Sequence, residues 1–206
     1  MITSTSNAKI KQVRALQSRA KNRREAGLFV IEGVRLAEEA LQAGVKPKFV
    51  LFSDNLSERG RELLDKMDEY SSDIEEVAEY VLQSVSDSPS PQGILLVLPI
   101  VEPVLPEQLD LVIIVDQLRD PGNMGTILRS AAAAGVQAVL CTPDSVDLYS
   151  PKVLRGGMGS HFKLAVHSLA WDDIETICKN HSMEVYLAAA DRGVAYTETV
   201  FSAATA

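Results

Sequence analysis

A series of short apolar runs constrains this 206-residue chain more than any other feature. Residues 28–31, 48–52, 74–77, 94–98, 111–115, 136–140, 162–166 and 184–188 are each of strand length, and segments of helical period lie between most of them. Runs that are apolar at nearly every position belong to strands covered on both faces. The expected fold class is therefore α/β. Its second half should be a parallel sheet with helices on either side. The longest run, Ile94 to Ile100, is strand-sized and far short of the roughly 18 residues of a bilayer span. The opening residues hold no apolar stretch of signal-peptide length. A soluble, cytoplasmic protein with no membrane partner is the expectation.

Helix signals fill the gaps. Asn7 suits the cap of a first helix with Ile10, Val13, Leu16 and Ala20 along one side. Gly33 to Ala43 reads as a helix closed by Gly44, and Glu58 to Tyr70 as one burying Leu63, Leu64 and Met67. Asn123 to Ala134 and Trp171 to Asn180 complete the set. Pro99, Pro103 and Pro106 fix φ and remove backbone donors, so the segment they span is a stiff connection. The expected organisation is a first domain over 1–98, a linker over 99–107 and a second domain over 108–206.

The net charge of -8 argues superficially against a polyanionic partner, but its distribution argues otherwise. Residues 1–35 carry Lys9, Lys11, Arg14, Arg19, Lys21, Arg23, Arg24 and Arg35 against Glu25 and Glu32, a local +6 that leaves -14 on the other 171 residues. Such asymmetry is a pointer to a nucleic-acid-binding face, and the plain alternative is a solvated basic helix. Cys141 and Cys178 form no Cys-x-x-Cys pair, and His161, His167 and His181 share no ligand spacing, so no metal is expected.

The most informative stretch runs from Val115 through Asp-Gln-Leu-Arg-Asp-Pro-Gly-Asn-Met-Gly-Thr-Ile-Leu-Arg-Ser-Ala to Gly135. It follows a buried strand and opens a helix, the position where open α/β sheets bind ligands. Asp120-Pro121-Gly122 suits a tight turn, Asn123 suits a helix cap, and Gly125 permits close approach to the backbone. Arg129 and Asn123 share a helix face only loosely. The four alanines Ala131–Ala134 would let the helix pack closely on the sheet. Dinucleotide and Walker fingerprints are both absent.

Asp120, Pro121, Asn123, Gly125, Arg129, Ser130 and Ala131 together resemble the first signature motif of the SpoU (TrmH-like) RNA ribose 2′-O-methyltransferases of the SPOUT superfamily. The stretches Phe29-Val-Ile-Glu-Gly-Val-Arg and Ser90-Pro-Gln-Gly-Ile are similar to the family's N-terminal substrate-binding domain. The run from Ser150 to Ser160 is similar to its next segment. The resemblance implies a trefoil-knot catalytic domain, a homodimer, S-adenosylmethionine as cosubstrate and the 2′-hydroxyl of an rRNA or tRNA ribose as acceptor. It also implies that Arg129, with Asn123, is catalytic. A guanidinium is charged at neutral pH and is a poor base unless strongly perturbed. A clamp on the phosphate beside the target ribose is therefore the alternative role.

One departure stands out. The family's two further motifs, a Gly-x-Glu loop and a Ser-Leu-Asn helix start, are not found here, so the second domain is expected to be incomplete at its C-terminal end. Leu187 to Gly193 matches the first loop of the cosubstrate site, which makes Ala188, Ala189 and Ala190 candidates for that contact. The glycines at 156, 157 and 159 are candidates to admit RNA or cosubstrate backbone. A non-catalytic RNA-binding, dimerising protein, or an inactive shortened form, is the alternative function.

Overall fold

In a computed structural model describing residues 1–68, 73–189, 193–201 and 204–206, two sheets stand side by side, each sandwiched between helices. The chain begins with α1 (Ala8–Ser18), whose cap is Asn7, its side chain accepting from the Lys9 amide at 2.8 Å. Helical spacing alone would carry this helix on to Ala20. Instead Arg19 is extended (φ -141°) and a second helix, α2 (Ala20–Ala26), folds back. The last-turn carbonyls of α1 explain the break: Ala15 and Leu16 accept from the side chains of Asn22 and Arg23, which satisfies groups a helix end leaves open.

There follow β1 (Leu28–Glu32), α3 (Val34–Gln42), β2 (Phe49–Phe52), α4 (Glu58–Asp68), β3 (Ile74–Glu76), α5 (Glu79–Gln83) and β4 (Ile94–Pro99). The first sheet has the order β1-β4-β2-β3, with β4 antiparallel to both β1 and β2, and β2 parallel to β3. Placing the late strand β4 at the centre is a non-local choice that run lengths do not encode. Both faces are covered. Ile10, Val13, Leu16, Val81 and Leu82 bury Val30, Leu51 and Val97 on one side. Ala37, Ala40, Leu63, Leu64 and Met67 bury Ile31, Val50 and Leu96 on the other. Of the expected Glu58–Tyr70 helix, Tyr70 lies outside the described residues.

The second sheet is parallel throughout: β5 (Val112–Val115), β6 (Ala138–Cys141) and β7 (Ala165–Ser168), in that order. On one face pack α6 (Pro121–Ala133) and α7 (Pro151–Gly157); on the other packs α8 (Trp171–Asn180). The third strand starts later than the run 162–166 suggests. Ser160–Phe162 instead form a 3₁₀ turn, and Phe162 packs against the core of the first sheet.

The run 184–188 is not a strand. Residues 204–206 lie between it and the start of β5: Thr205 bridges both Leu111 and Glu184, and Tyr186 N–H donates to the Ala206 carbonyl at 2.8 Å. Beyond Tyr186 the segment has no ladder neighbour among the described residues, and Val185 and Leu187 stand 62% and 91% exposed. Among the described residues no helix is long and apolar enough to cross a membrane.

The two halves meet through α7 and its flanks. Leu154 belongs to the core of the first sheet, and the Phe29 and Tyr149 rings lie 4.9 Å apart. Arg155 donates to the Asp87 carbonyl at 2.9 Å, and Lys163 pairs with Glu39 at 2.7 Å.

Candidate active site

The motif occupies the turn between β5 and α6. Gln117 sits in the left-handed region (φ 51°), where a non-glycine residue is strained unless its surroundings hold it. Thr142, following β6, does so: its hydroxyl accepts from the Gln117 amide at 2.9 Å and donates to Asp116 at 2.9 Å. The Val146 amide also donates to the Leu118 carbonyl at 2.7 Å. The turn is thus clamped to the 142–149 loop.

The helix cap differs from expectation. Asp120, not Asn123, caps α6; its carboxylate accepts from the Asn123 amide at 2.7 Å, and Pro121 takes the first helical position, where a missing amide costs nothing. Asn123 already lies inside the first turn, and its side chain is exposed. Asp120→Ala should lower stability by about 1 kcal/mol, readable as a lower urea midpoint at unchanged slope.

Gly125 is the contact point between α6 and α7. A β-carbon there would lie 2.7 Å from the Gly156 α-carbon and 2.8 Å from its carbonyl carbon. This close crossing gives Gly156 a packing role, in place of the expected opening for RNA or cosubstrate. Gly157 lies under the His161 ring and Gly159 against Glu39, so neither is an open approach either. Of the four alanines only Ala131 is fully buried; Ala133 and Ala134 are exposed.

Arg129 is exposed on α6, two turns below the cap, and its guanidinium donates to the Met158 sulfur at 3.4 Å. Met158 closes α7 in the left-handed conformation (φ 49°). Among the described residues no hydrogen bond joins Asn123 to Arg129, and the partner of the Arg129 guanidinium is Met158. Met158 lies within the Ser150–Ser160 run, but nothing in the sequence singles it out as the partner of Arg129.

The basic N-terminal set divides. Lys11, Arg14, Arg19, Lys21, Arg24 and Arg35 are exposed. Arg23 is not available for RNA: it is 4% exposed, and its Nε donates to Asp147 at 2.7 Å. Lys9 is held by Asp73 and Glu75 and lies over the Phe49 ring, 5.2 Å from its centroid. Arg35 lies apart on α3, beside a groove it shares with Arg59 and Gln92. There Gln92 accepts from the Val34 amide at 2.9 Å, bringing together the Phe29–Arg35 and Ser90–Ile94 stretches.

Ala188 and Ala189 are exposed and contribute nothing to the interdomain cleft; Ala190 lies outside the described residues. Among the described residues no cluster of three or more His, Cys, Asp or Glu could hold a metal. Burial pushes the Cys141 thiol up to about 12, which leaves it without nucleophilic character at neutral pH.

Below the motif, an open cleft of about 290 Å³ separates α2 and the 99–107 connection from the carboxyl ends of β6 and β7. Beside its wall His161 is half-buried, its Nε2–H donating to the Leu148 carbonyl at 2.8 Å and its inaccessible Nδ1 without a partner. Burial pushes its pKa down to about 4. The folded state therefore resists a proton that the unfolded chain accepts near pH 6.5. Stability from this group is full above that value and is lost as pH falls toward 4. It should cost roughly 2 kcal/mol between pH 7 and pH 5, and His161→Phe should remove that part of the slope in urea titrations.

Residues 7–96 match the MRM3-like substrate binding domain, and residues 110–206 match the SpoU rRNA Methylase family. Mouse "rRNA methyltransferase 3, mitochondrial" is 42% identical over 162 residues, 74% of this chain and 38% of that protein. The chain thus spans well under half the length of that relative. The Bacillus subtilis "23S rRNA (guanosine(2553)-2'-O)-methyltransferase RlmP" is 30% identical over 203 residues, 96% of this chain and 76% of that one. An rRNA methyltransferase crystal structure from Sinorhizobium meliloti superposes with a TM-score of 0.87 at 25% identity, covering 99% of this chain and 78% of that chain. Its AdoMet-bound form gives 0.79 at 26% identity, covering 89% and 70%. With the Asp120–Ala131 motif carried on α6 and a relative matched across most of both lengths, the chain belongs to the SpoU rRNA methylase family.

Proposed function

We propose that this chain transfers a methyl group from S-adenosylmethionine to the 2′-hydroxyl of a ribose in rRNA or tRNA. The observation that carries the reading is Arg129, presented in its family motif on the exposed side of α6, just below a turn at the carboxyl end of β5. The relatives' names, which speak of rRNA and of 2′-O transfer, and the AdoMet-bound neighbour support it. Residues 1–98 would bind the RNA, 99–107 would connect, and 108–206 would catalyse. Lys11, Arg14, Arg19, Lys21 and Arg24 would meet phosphates, with Arg35 contributing from α3. Arg129 would hold the phosphate next to the acceptor ribose and stabilise the developing alkoxide. Asn123, exposed beside the cap, would contact the same nucleotide. A homodimer is part of the reading, as is a cytoplasmic setting suited to the bacterial relative's 23S rRNA.

The test is transfer of label from methyl-labelled S-adenosylmethionine to total rRNA and tRNA. Incorporation that grows with time and protein supports the proposal. A second reading, an RNA-binding protein without catalysis, draws on the exposed Ala188 and Ala189. RNA binding without incorporation would favour it.

A further inference from the structure

We propose that Arg23 and Asp147 are positioning residues for methyl transfer: their contact fixes where the Arg129 guanidinium stands relative to RNA held on α1 and α2. This rests on the methyl-transfer reading above and adds to it two residues that act through Arg129.

Arg23 stands out in a basic segment by its burial. Its neighbours Arg19, Lys21 and Arg24 are exposed, whereas Arg23 is 4% exposed. Its guanidinium reaches in two directions. Nη1 donates to the carbonyl of Leu16, and at 3.4 Å to that of Gln17, in the last turn of α1. Nε, at 2.7 Å, and Nη2 both donate to one carboxylate oxygen of Asp147. One rigid fork thus joins the end of α1 to the 142–149 loop.

Asp147 passes that contact to both sides of Arg129. Its second carboxylate oxygen accepts from the Tyr149 amide at 3.1 Å, and its carbonyl accepts from the Ser150 amide at 3.1 Å, where α7 begins. The far end of α7 is Met158, the partner of Arg129. On the other side, the adjacent Val146 amide donates to the Leu118 carbonyl at 2.7 Å, two residues before the cap of α6. A shift at Asp147 therefore reaches Arg129 through the helix that carries it and through the helix that supplies its partner.

A buried ion pair is weak support for stability, since apolar side chains of similar volume often serve as well. What this one adds is a fixed geometry between two halves that must meet one substrate. Group transfer is sensitive to such geometry: a misplacement of about 1 Å, caused far from the chemistry, costs up to about 10²-fold in rate. A second interdomain pair, Lys163 with Glu39 at 2.7 Å, has an exposed lysine and lies outside the 142–149 loop, so it joins the halves without touching the motif turn.

Single-turnover transfer by the whole chain tests the pair, from methyl-labelled S-adenosylmethionine to saturating total rRNA, well below each variant's melting temperature. RNA affinity is read alongside by filter binding. Arg23→Gln and, independently, the isosteric Asp147→Asn should each slow transfer about tenfold while RNA affinity stays within about twofold. Arg23→Lys, which keeps the charge without the fork, should recover part of the rate. Lys163→Gln should leave the rate unchanged. In an Arg129→Ala background, Arg23→Gln should slow transfer no further, because the group it misplaces is already gone. An equal loss in that background, or an equal loss in Lys163→Gln, would make the pair a general support of the fold and overturn the positioning role. Full rate in both Arg23→Gln and Asp147→Asn, or a loss confined to RNA affinity, would overturn it too. No transfer by the unaltered chain would overturn the methyl-transfer reading itself, and the positioning role with it.

Discussion

Arg129→Ala is expected to lower methyl transfer to RNA by about 10²–10³-fold, the range found when one preorganised donor to a developing oxyanion is removed. Arg129 is exposed on α6 and its hydrogen bond goes to a thioether, so its loss should hardly change the melting temperature. RNA affinity should fall only slightly, since the exposed basic residues of α1 and α2 remain. Arg129→Lys separates the two roles. If the side chain clamps a phosphate, lysine keeps the charge without the two-pronged geometry and restores part of the rate. A neutral base cannot be replaced that way. An alanine variant with full activity would remove Arg129 from the site.

Gly125→Ala should be the most damaging small change to stability, about 3 kcal/mol or more. The added methyl would sit 2.7 Å from the Gly156 α-carbon and 3.0 Å from the Gly157 amide nitrogen, and these are backbone atoms with no rotamer to relieve them. The two helices must separate, which would draw Met158 away from Arg129 and Leu154 out of the first sheet's core. For a chain of this size such a loss is about 6–12 °C in melting temperature. Gly122→Ala, whose nearest contact is the Asp120 carboxylate at 3.1 Å, should cost much less. Equal effects at the two positions would mean that the close crossing is not what Gly125 provides.

These residues also mark how far the sequence could be read. Periodicity and capping were legible because they are local. Asn7 caps α1, Trp171–Asn180 is a helix over its expected span, and the all-apolar runs at 28–31 and 94–98 are strands buried on both faces. What escaped was decided across long separations. The central place of β4 depends on strands far apart in the chain, and no run announces it. Arg23 reads as one more exposed cation until Asp147, 124 residues away, is found beside it. The segment 184–188 has strand composition but, among the described residues, pairs only at Glu184 and Tyr186, where residues 204–206 reach it.

At the candidate site the same division holds. The motif's turn and helix were legible from Asp120, Pro121 and Gly125. The cap was assigned one turn too late, because Asp and Asn compete for that role and only geometry decides. Met158, Thr142 and the cleft carry no sequence signature. They arise where α7 and the 142–149 loop fold back on the motif turn.

The central claim is ribose 2′-O transfer by this chain, and the position of the methyl group tests it most directly. RNA treated with the protein and trideuteromethyl-labelled S-adenosylmethionine should be digested to nucleosides and fragmented by mass spectrometry. The label should appear on the ribose fragment of one nucleoside species and be lost with Arg129→Ala. Label on the base, or its absence from RNA that the protein binds, would contradict the account.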